Sequence, residues 1–351
     1  MFEKNKLKKH TAFLDILRVF SCIAIIILHV NHNSILDSTT LKEEVNGFIH
    51  LFQNYFQWAV PIFFMISGYI FLGVKEECTY KSMKRQYIKM LLIMIIFYIA
   101  FNLIELFINN NGFYLNIFMD SIYLTLQGKT WDHMWFLNSI FIAYLIFPVV
   151  RPFFDNGGRD LDIFMVLFSI FTILIPEINK VFNLNLYSYF IFDYRIYYCF
   201  IGGYLYKKKI VNTPLSNIIM ILVLILLFTL NAFCHMSPKI HMSLSSNNQR
   251  LVTFIETFLI FNIFANLFNI ESNTFKFLSK YTLYVYIFHV GFVHILTKVL
   301  KIFPYELKYS YIMVPLAVSG VFVSSLIVSV IVKPIFDIIN DKINSLLIRE
   351  D

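Results

Sequence analysis

LDILRVFSCIAIIILHV (residues 14–30) is an apolar run that holds one permanent cation, Arg18, and one titratable imidazole, His29. An apolar stretch of about 18 residues or more predicts a membrane-spanning helix. The two side chains are eleven residues apart, so on a helix they lie on one face, about 16 Å apart along the axis. Ionisable groups within a span are costly and normally face the bundle interior or an aqueous cavity. The run therefore predicts a membrane helix with a functional face.

The rest of the chain repeats this apolar character. Of 351 residues, 58% are hydrophobic and only 15% are charged, which excludes a soluble multidomain protein. We predict an all-α, polytopic membrane helical bundle that forms a single domain over residues 1–351, with a basic N-terminus (1–13) and a tail (334–351). The ten spans are predicted near 14–31, 52–73, 88–108, 134–150, 161–177, 186–206, 215–235, 251–269, 281–300 and 311–333. The segment 113–127 is too short and polar for an obvious span.

The basic residues predict the orientation of the bundle. Alternate loops hold 19 Lys and Arg on one side against 8 on the other, with the remaining two inside spans. Because basic loops stay in the cytoplasm, both termini are expected there, in a bacterial plasma membrane. The net charge of +7 is explained by these loops, so nucleic acid is not an expected partner. The four cysteines form no CxxC pair, and neither a disulfide framework nor a metal site is expected.

Each polar group in the first span has a structural interpretation beside the functional one. Arg18 could extend to the headgroups or pair with Asp15, one turn earlier. His29 could be a polar residue at the end of the span, with no role in a reaction. Their alignment on one face favours function, because an imidazole accepts a proton near neutral pH.

Two further stretches attract attention. In VPIFFMISGYIFLG (residues 60–73), Ser67 and its neighbouring glycine would allow two helices to approach closely. In TYKSMKRQYIKM (79–90), Lys84, Arg85 and Lys89 follow at helical spacing. They are either ordinary cytoplasmic charge or a phosphate-binding patch for a nucleotide-like ligand.

Polar residues also occur near or inside later spans. WDHMWFLNSIF (131–141) places His133 and Trp135 at the predicted outer mouth, and His289 lies inside the ninth span. The alternatives are that Trp135 is an aromatic residue of the membrane interface and that His289 is a buried histidine with a structural role. Asp193 and Arg195 are two residues apart and cannot share a helix face, so each is expected to need a partner on another helix.

Taken in order, these stretches resemble the membrane acyltransferase-3 family of bacterial integral-membrane acyltransferases. The resemblance covers nearly the whole chain. It includes the Arg-x10-His span, the Pro-x-Phe-Phe…Ser-Gly-Tyr signature, the basic run, the Trp-Phe-Leu run and the late Ser-x-Tyr-Thr…Tyr-x-x-His run. These match Asp15, Arg18 and His29; Pro61, Phe63, Phe64, Ser67, Gly68 and Tyr69; Lys84, Arg85 and Lys89; Trp135, Phe136 and Leu137; and Ser279, Tyr281, Thr282, Tyr286 and His289.

The resemblance implies transfer of an acyl group, usually acetyl from acetyl-CoA, to a hydroxyl of an extracytoplasmic glycan or its lipid-linked precursor. His29 and Arg18 would be catalytic, and Lys84, Arg85 and Lys89 would bind the donor. Acetyl-CoA would be a substrate rather than a permanently bound cofactor, and a glycan-synthesis complex is a possible partner. The remaining candidates would bind substrate or support the site: Asp15, Ser67, Tyr69, His133, Trp135, Asp193, Arg195 and His289.

Two other classes of function stay open at this point. A secondary transporter or flippase for a small solute or glycan intermediate suits ten spans with buried ions equally well. Many such transporters consist of two related halves with interrupted helices at corresponding positions, and the sequence shows no such pair of halves. A structural partner in a capsule-synthesis complex is the second alternative. Consumption of acetyl-CoA and dependence on His29 discriminate among the three.

Overall fold

The computed structural model describes residues 2–37, 55–109, 112, 114–186, 193–209, 212–236, 251–303 and 310–347. Within these residues the chain is all-helical and has no strand, which confirms the predicted fold class. The helices are α1 (Phe2–Asp37), α2 (Ala59–Tyr69), α3 (Tyr80–Asn109), α4 (Ile117–Leu126), α5 (Trp135–Asn156), α6 (Gly158–Ser169), α7 (Ile175–Phe182), α8 (Tyr194–Lys208), α9 (Pro214–Met236), α10 (Leu251–Leu267), α11 (Asn273–Ser279), α12 (Thr282–His294) and α13 (Ser310–Leu347). Three π-helical turns extend α2, α6 and α12: Ile70–Val74, Ile170–Leu174 and Ile295–Val299.

Among the residues that the structure describes, six helical stretches are long and apolar enough to cross a membrane: Ala12–His32, Tyr80–Asn109, Asp132–Asn156, Gly158–Phe182, Thr282–Val299 and Tyr311–Leu347. They coincide with six of the predicted spans. The other four predicted spans lie on α2, α8, α9 and α10, whose described apolar parts have 17 residues or fewer. The protein is therefore a membrane protein with several apolar helices. A total of ten spans and the side of the termini stay predictions.

The chain forms two compact units. Unit 1 comprises Met1–Glu76 and Pro152–Val330, and unit 2 comprises Glu77–Arg151 and Ile331–Asp351. Whether they act as one domain, as predicted for residues 1–351, stays a prediction.

The first helix lies at the centre of the packing in unit 1. Apolar residues on α1 recur at steps of four and meet α12 and the first half of α13, as expected for the buried stripe of a helix. The core cluster comprises Cys22, Ile26, Val30, Val285, Val293, Val314, Val318 and Val321. Since α1 also contacts α2, α10 and α11, its polar residues are brought against several neighbouring helices.

In unit 2 the short helix α4 folds back onto α3. Its ten residues span about 15 Å, half the thickness of the hydrocarbon core, so α4 cannot cross the membrane. A buried amide fixes it: Asn102 Nδ2 donates to Thr125 Oγ1 at 3.0 Å and to the Lys129 carbonyl at 2.9 Å. This agrees with the prediction that residues 113–127 do not form a span.

Candidate active site

Arg18 belongs to a polar cluster on the inner face of α1. Its Nη1 lies 3.2 Å from Asp15 Oδ1, one helical turn earlier, as the spacing suggested. The same carboxylate oxygen accepts a hydrogen bond of 2.7 Å from Ser279 Oγ. Ser279 is the last residue of α11, and Ser272 is the N-cap of that helix. Arg18 is 28% exposed, so its guanidinium is held by Asp15 and still accessible to a ligand.

His29 stands against a second histidine. Its ring centroid lies 4.9 Å from that of His289, in an edge-to-face arrangement at 66°. Both residues are candidates from the sequence, although spacing within each helix carries no information about a contact between them. On one side of the bundle core, unit 1 therefore presents two adjacent imidazoles.

The tautomer of His289 follows from its hydrogen bond. Its Nδ1 lies 2.5 Å from the Tyr286 carbonyl, one turn earlier on α12. A carbonyl can only accept, so Nδ1 carries the proton. In the neutral ring Nε2 is then the acceptor nitrogen. His289 is fully buried, whereas His29 is partly exposed, so His29 is the imidazole of this pair that a substrate can reach.

Along α1 the two parts of the candidate site are separated. Eleven residues from Arg18 to His29 correspond to about 16 Å of unbroken helix. Unit 1 thus carries a guanidinium cluster at one level and an imidazole pair about three turns away. A reaction involving both ends needs an extended substrate.

The Ser-Gly-Tyr stretch of α2 is used for packing. Ser67 Oγ donates to the carbonyl of Phe63 in its own helix at 3.0 Å. Tyr69 is buried, with its ring centroid 5.6 Å from Phe13 and 5.5 Å from Phe261. Both residues support the helix that lies against α1.

Close approach of α2 and α8 depends on a pair of glycines. A Cβ added to Gly68 would lie 1.7 Å from the Cys199 carbonyl oxygen, and one added to Gly202 would lie 1.9 Å from the Met65 carbonyl oxygen. Each glycine thus presses against the backbone of the opposite helix. Gly202 was not singled out in the sequence, although small residues facing each other are a known signal for close membrane helices.

The basic run lies in unit 2, at the start of α3. Lys84 and Arg85 are exposed, and Lys84 Nζ donates to the Leu347 carbonyl at 3.2 Å. Lys89 is less exposed and lies 3.9 Å from Asp337 Oδ1 on α13. The run therefore lies alongside the last part of α13.

His133 and Trp135 also belong to unit 2. His133 is buried, with its ring edge against Phe101 at 5.6 Å and Trp131 at 6.1 Å. Trp135, at the start of α5, packs against Phe136. These contacts make His133 part of an aromatic cluster.

The expectation that Asp193 and Arg195 cannot reach each other, and so need partners on other helices, is wrong. They pair with each other: Arg195 Nη2 lies 2.8 Å from Asp193 Oδ2, and Arg195 Nε lies 2.8 Å from Asp193 Oδ1. Asp193 is the extended N-cap of α8, and its carboxylate also accepts from the backbone N–H of Arg195. Side chains two residues apart within a helix point in different directions. That rule does not apply here, because Asp193 precedes the helix.

Comparison with known proteins adds one match. A family model described as an acyltransferase domain, that of the acyltransferase-3 family, matches residues 11–333, nearly the whole chain. The comparisons with curated proteins and with solved structures found no match.

Proposed function

Because the chain belongs to the acyltransferase-3 family and is a membrane acyltransferase, we propose that it transfers an acetyl group from cytoplasmic acetyl-CoA to a hydroxyl of an extracytoplasmic glycan or lipid-linked sugar. The observation that carries this proposal is the His29–His289 pair at the end of the face that begins at Arg18. The basic loop pattern supports ten spans with both termini in the cytoplasm.

His29 acts as the general base. It removes the proton from the acceptor hydroxyl as that oxygen attacks the thioester carbonyl. The carbon–sulfur bond then breaks, and the imidazolium returns the proton to the departing thiolate of CoA. Proton and acyl group are thus balanced without a further reactant.

His289 positions His29. The Tyr286 carbonyl fixes the His289 tautomer and ring, and the ring of His289 in turn limits the rotation of His29. A base held in one orientation needs less reorganisation to reach the reacting hydroxyl.

Arg18 serves the donor. A planar guanidinium can donate to phosphate, to a pantetheine amide or to the developing oxyanion. Asp15 keeps it from rotating away, because its carboxylate pairs with Arg18 and is itself held by a hydrogen bond donated by Ser279. The distance of about 16 Å along α1 suits a long donor arm that reaches from the cytoplasmic side to His29.

The test is radiolabelled acetyl transfer from acetyl-CoA to envelope glycan, in membranes at matched expression. His29→Ala should lower the rate by about 10²–10⁴-fold, the usual contribution of a general base. His29→Gln should fail similarly, because its amide cannot take the proton. His32→Ala is the matched control, since His32 is an exposed histidine three residues further along α1. Near-normal transfer by His29→Ala would refute the mechanism and favour the transporter alternative.

Orientation is tested separately by labelling single cysteines in intact cells. A cysteine near the N-terminus should react with a membrane-impermeant reagent only after the cells are opened. Labelling from outside would reverse the proposed path of the donor.

A further inference from the structure

Unit 2 brings a second lysine to the basic run. The carboxylate of Asp337 on α13 forms an ion pair with Lys333, one turn earlier on the same helix. Its Oδ1 also lies 3.9 Å from Lys89 Nζ of α3. Two ammonium groups from different helices therefore share one carboxylate. The trio carries a net charge of +1, which the carboxylate of Asp341, one turn further along α13 and within electrostatic reach of Lys89, offsets in part.

The two lysines stand at equivalent points of their helices. Lys89 is the last basic residue before the uncharged stretch 90–104 of α3, and Lys333 follows the uncharged stretch 310–332 of α13. The side chains of all three residues are between 24% and 35% exposed. The cluster thus lies at one end of the apolar part of both helices, where a soluble anion can reach it.

We propose that Lys89 and Lys333 form a binding site for the phosphate groups of the acyl donor, with Asp337 occupying the site until the donor arrives. This inference rests on the proposed function, and it adds Lys333 and Asp337 to the basic run that the family resemblance implies for the donor. Lysine ammoniums bind phosphate as point charges. A phosphate group carries more negative charge than one carboxylate, so it competes effectively for two ammonium groups already held on adjacent helices.

Asp337 has two effects that experiments can separate. It prevents the two ammonium groups from repelling each other, and it competes with an incoming anion. If the cluster binds the donor, removing the carboxylate should tighten donor binding. If the cluster only braces α3 against α13, removing any member should weaken the unit without a selective effect on the donor.

The experiment measures acetyl transfer from acetyl-CoA to added envelope glycan by the full-length protein in neutral phosphatidylcholine vesicles. Lys333→Gln should raise the KM for acetyl-CoA by about three- to tenfold with little change in kcat, as expected for loss of one partly exposed charge-assisted contact. It should weaken inhibition by inorganic pyrophosphate by a similar factor. Asp337→Asn should change both quantities in the opposite direction. Lys342→Gln is the matched control, because Lys342 is an exposed lysine further along α13.

Each result decides the inference. Equal KM values for Lys333→Gln and Lys342→Gln overturn it, as does a rise in KM for Asp337→Asn. An effect of Lys333→Gln that occurs only when anionic phosphatidylglycerol is added would assign the site to lipid headgroups and also overturn it. If the parent protein transfers no acetyl group from acetyl-CoA, the proposed function fails instead.

Discussion

The contact between α2 and α8 allows a quantitative test of packing in unit 1. Replacing Gly68 by alanine puts a methyl group 1.7 Å from the Cys199 carbonyl oxygen, whereas carbon and oxygen normally stay about 3.3 Å apart or more. The helices must then separate by about 1.6 Å or tilt. Backbone atoms on both sides leave no flexible side chain to move away.

Gly320 provides the control for this substitution. It also lies within a helix of unit 1, but an added Cβ there meets nothing within 4 Å. Both changes gain the same helix propensity, about 1 kcal/mol from glycine to alanine, so this contribution cancels in the comparison. The difference that remains is the overpacking cost at Gly68, about 1–3 kcal/mol or more.

The assay is thermal unfolding of the purified proteins in one detergent. Gly68→Ala should melt below Gly320→Ala by about 2–12 °C, at roughly 2–4 °C per kcal/mol for a unit of this size. Gly202→Ala should behave like Gly68→Ala. The double variant should lose less than the sum, because separating the helices once relieves both clashes. Equal melting temperatures for Gly68→Ala and Gly320→Ala would refute the reasoning.

Three further outcomes are expected. Asn102→Ala should destabilise unit 2 by about 1–3 kcal/mol, because Thr125 and the Lys129 carbonyl lose a buried partner; limited proteolysis between α3 and α5 should detect it. Asp15→Asn should lower kcat while protein stays in the membrane, because Arg18 loses its charged anchor, and acetyl-transfer kinetics with a Western blot for expression check this. Transfer should fall as the medium is acidified, because a protonated imidazole cannot act as a base; initial rates across the acidic range in which the protein stays folded check this, and a rate that never falls would contradict a histidine base.

Properties of single helices could be predicted from the sequence. Six helices long and apolar enough to cross a membrane, the Asp15–Arg18 pair and the shortness of residues 113–127 all follow from local hydropathy and helical spacing. Such signals need only the residues within one turn or one span. The membership of the family was also evident from motifs that occur in order along the chain.

Contacts between distant segments could not be predicted in this way. The His29–His289 pair joins residues 260 positions apart, and periodicity within each helix carries no information about which face meets which. The Asp193–Arg195 error has a different origin. An aspartate directly before a helix is a favoured N-cap, and the rule for residues two apart on a helix applies only where the helix has already begun at the first of them.

The contact between Asp15 and Ser279 has a consequence for how the protein is made. Arg18 and Asp15 can pair as soon as the first helix forms, but their third partner follows 264 residues later. At about 5–20 residues per second, a ribosome needs roughly 13–53 s to reach it. During that interval the first helix waits in the membrane with part of its polar face uncovered. Because Asp15 and Arg18 neutralise each other within one helix, the cost of keeping this helix in the bilayer is lower until α11 and α12 are synthesised and complete the site.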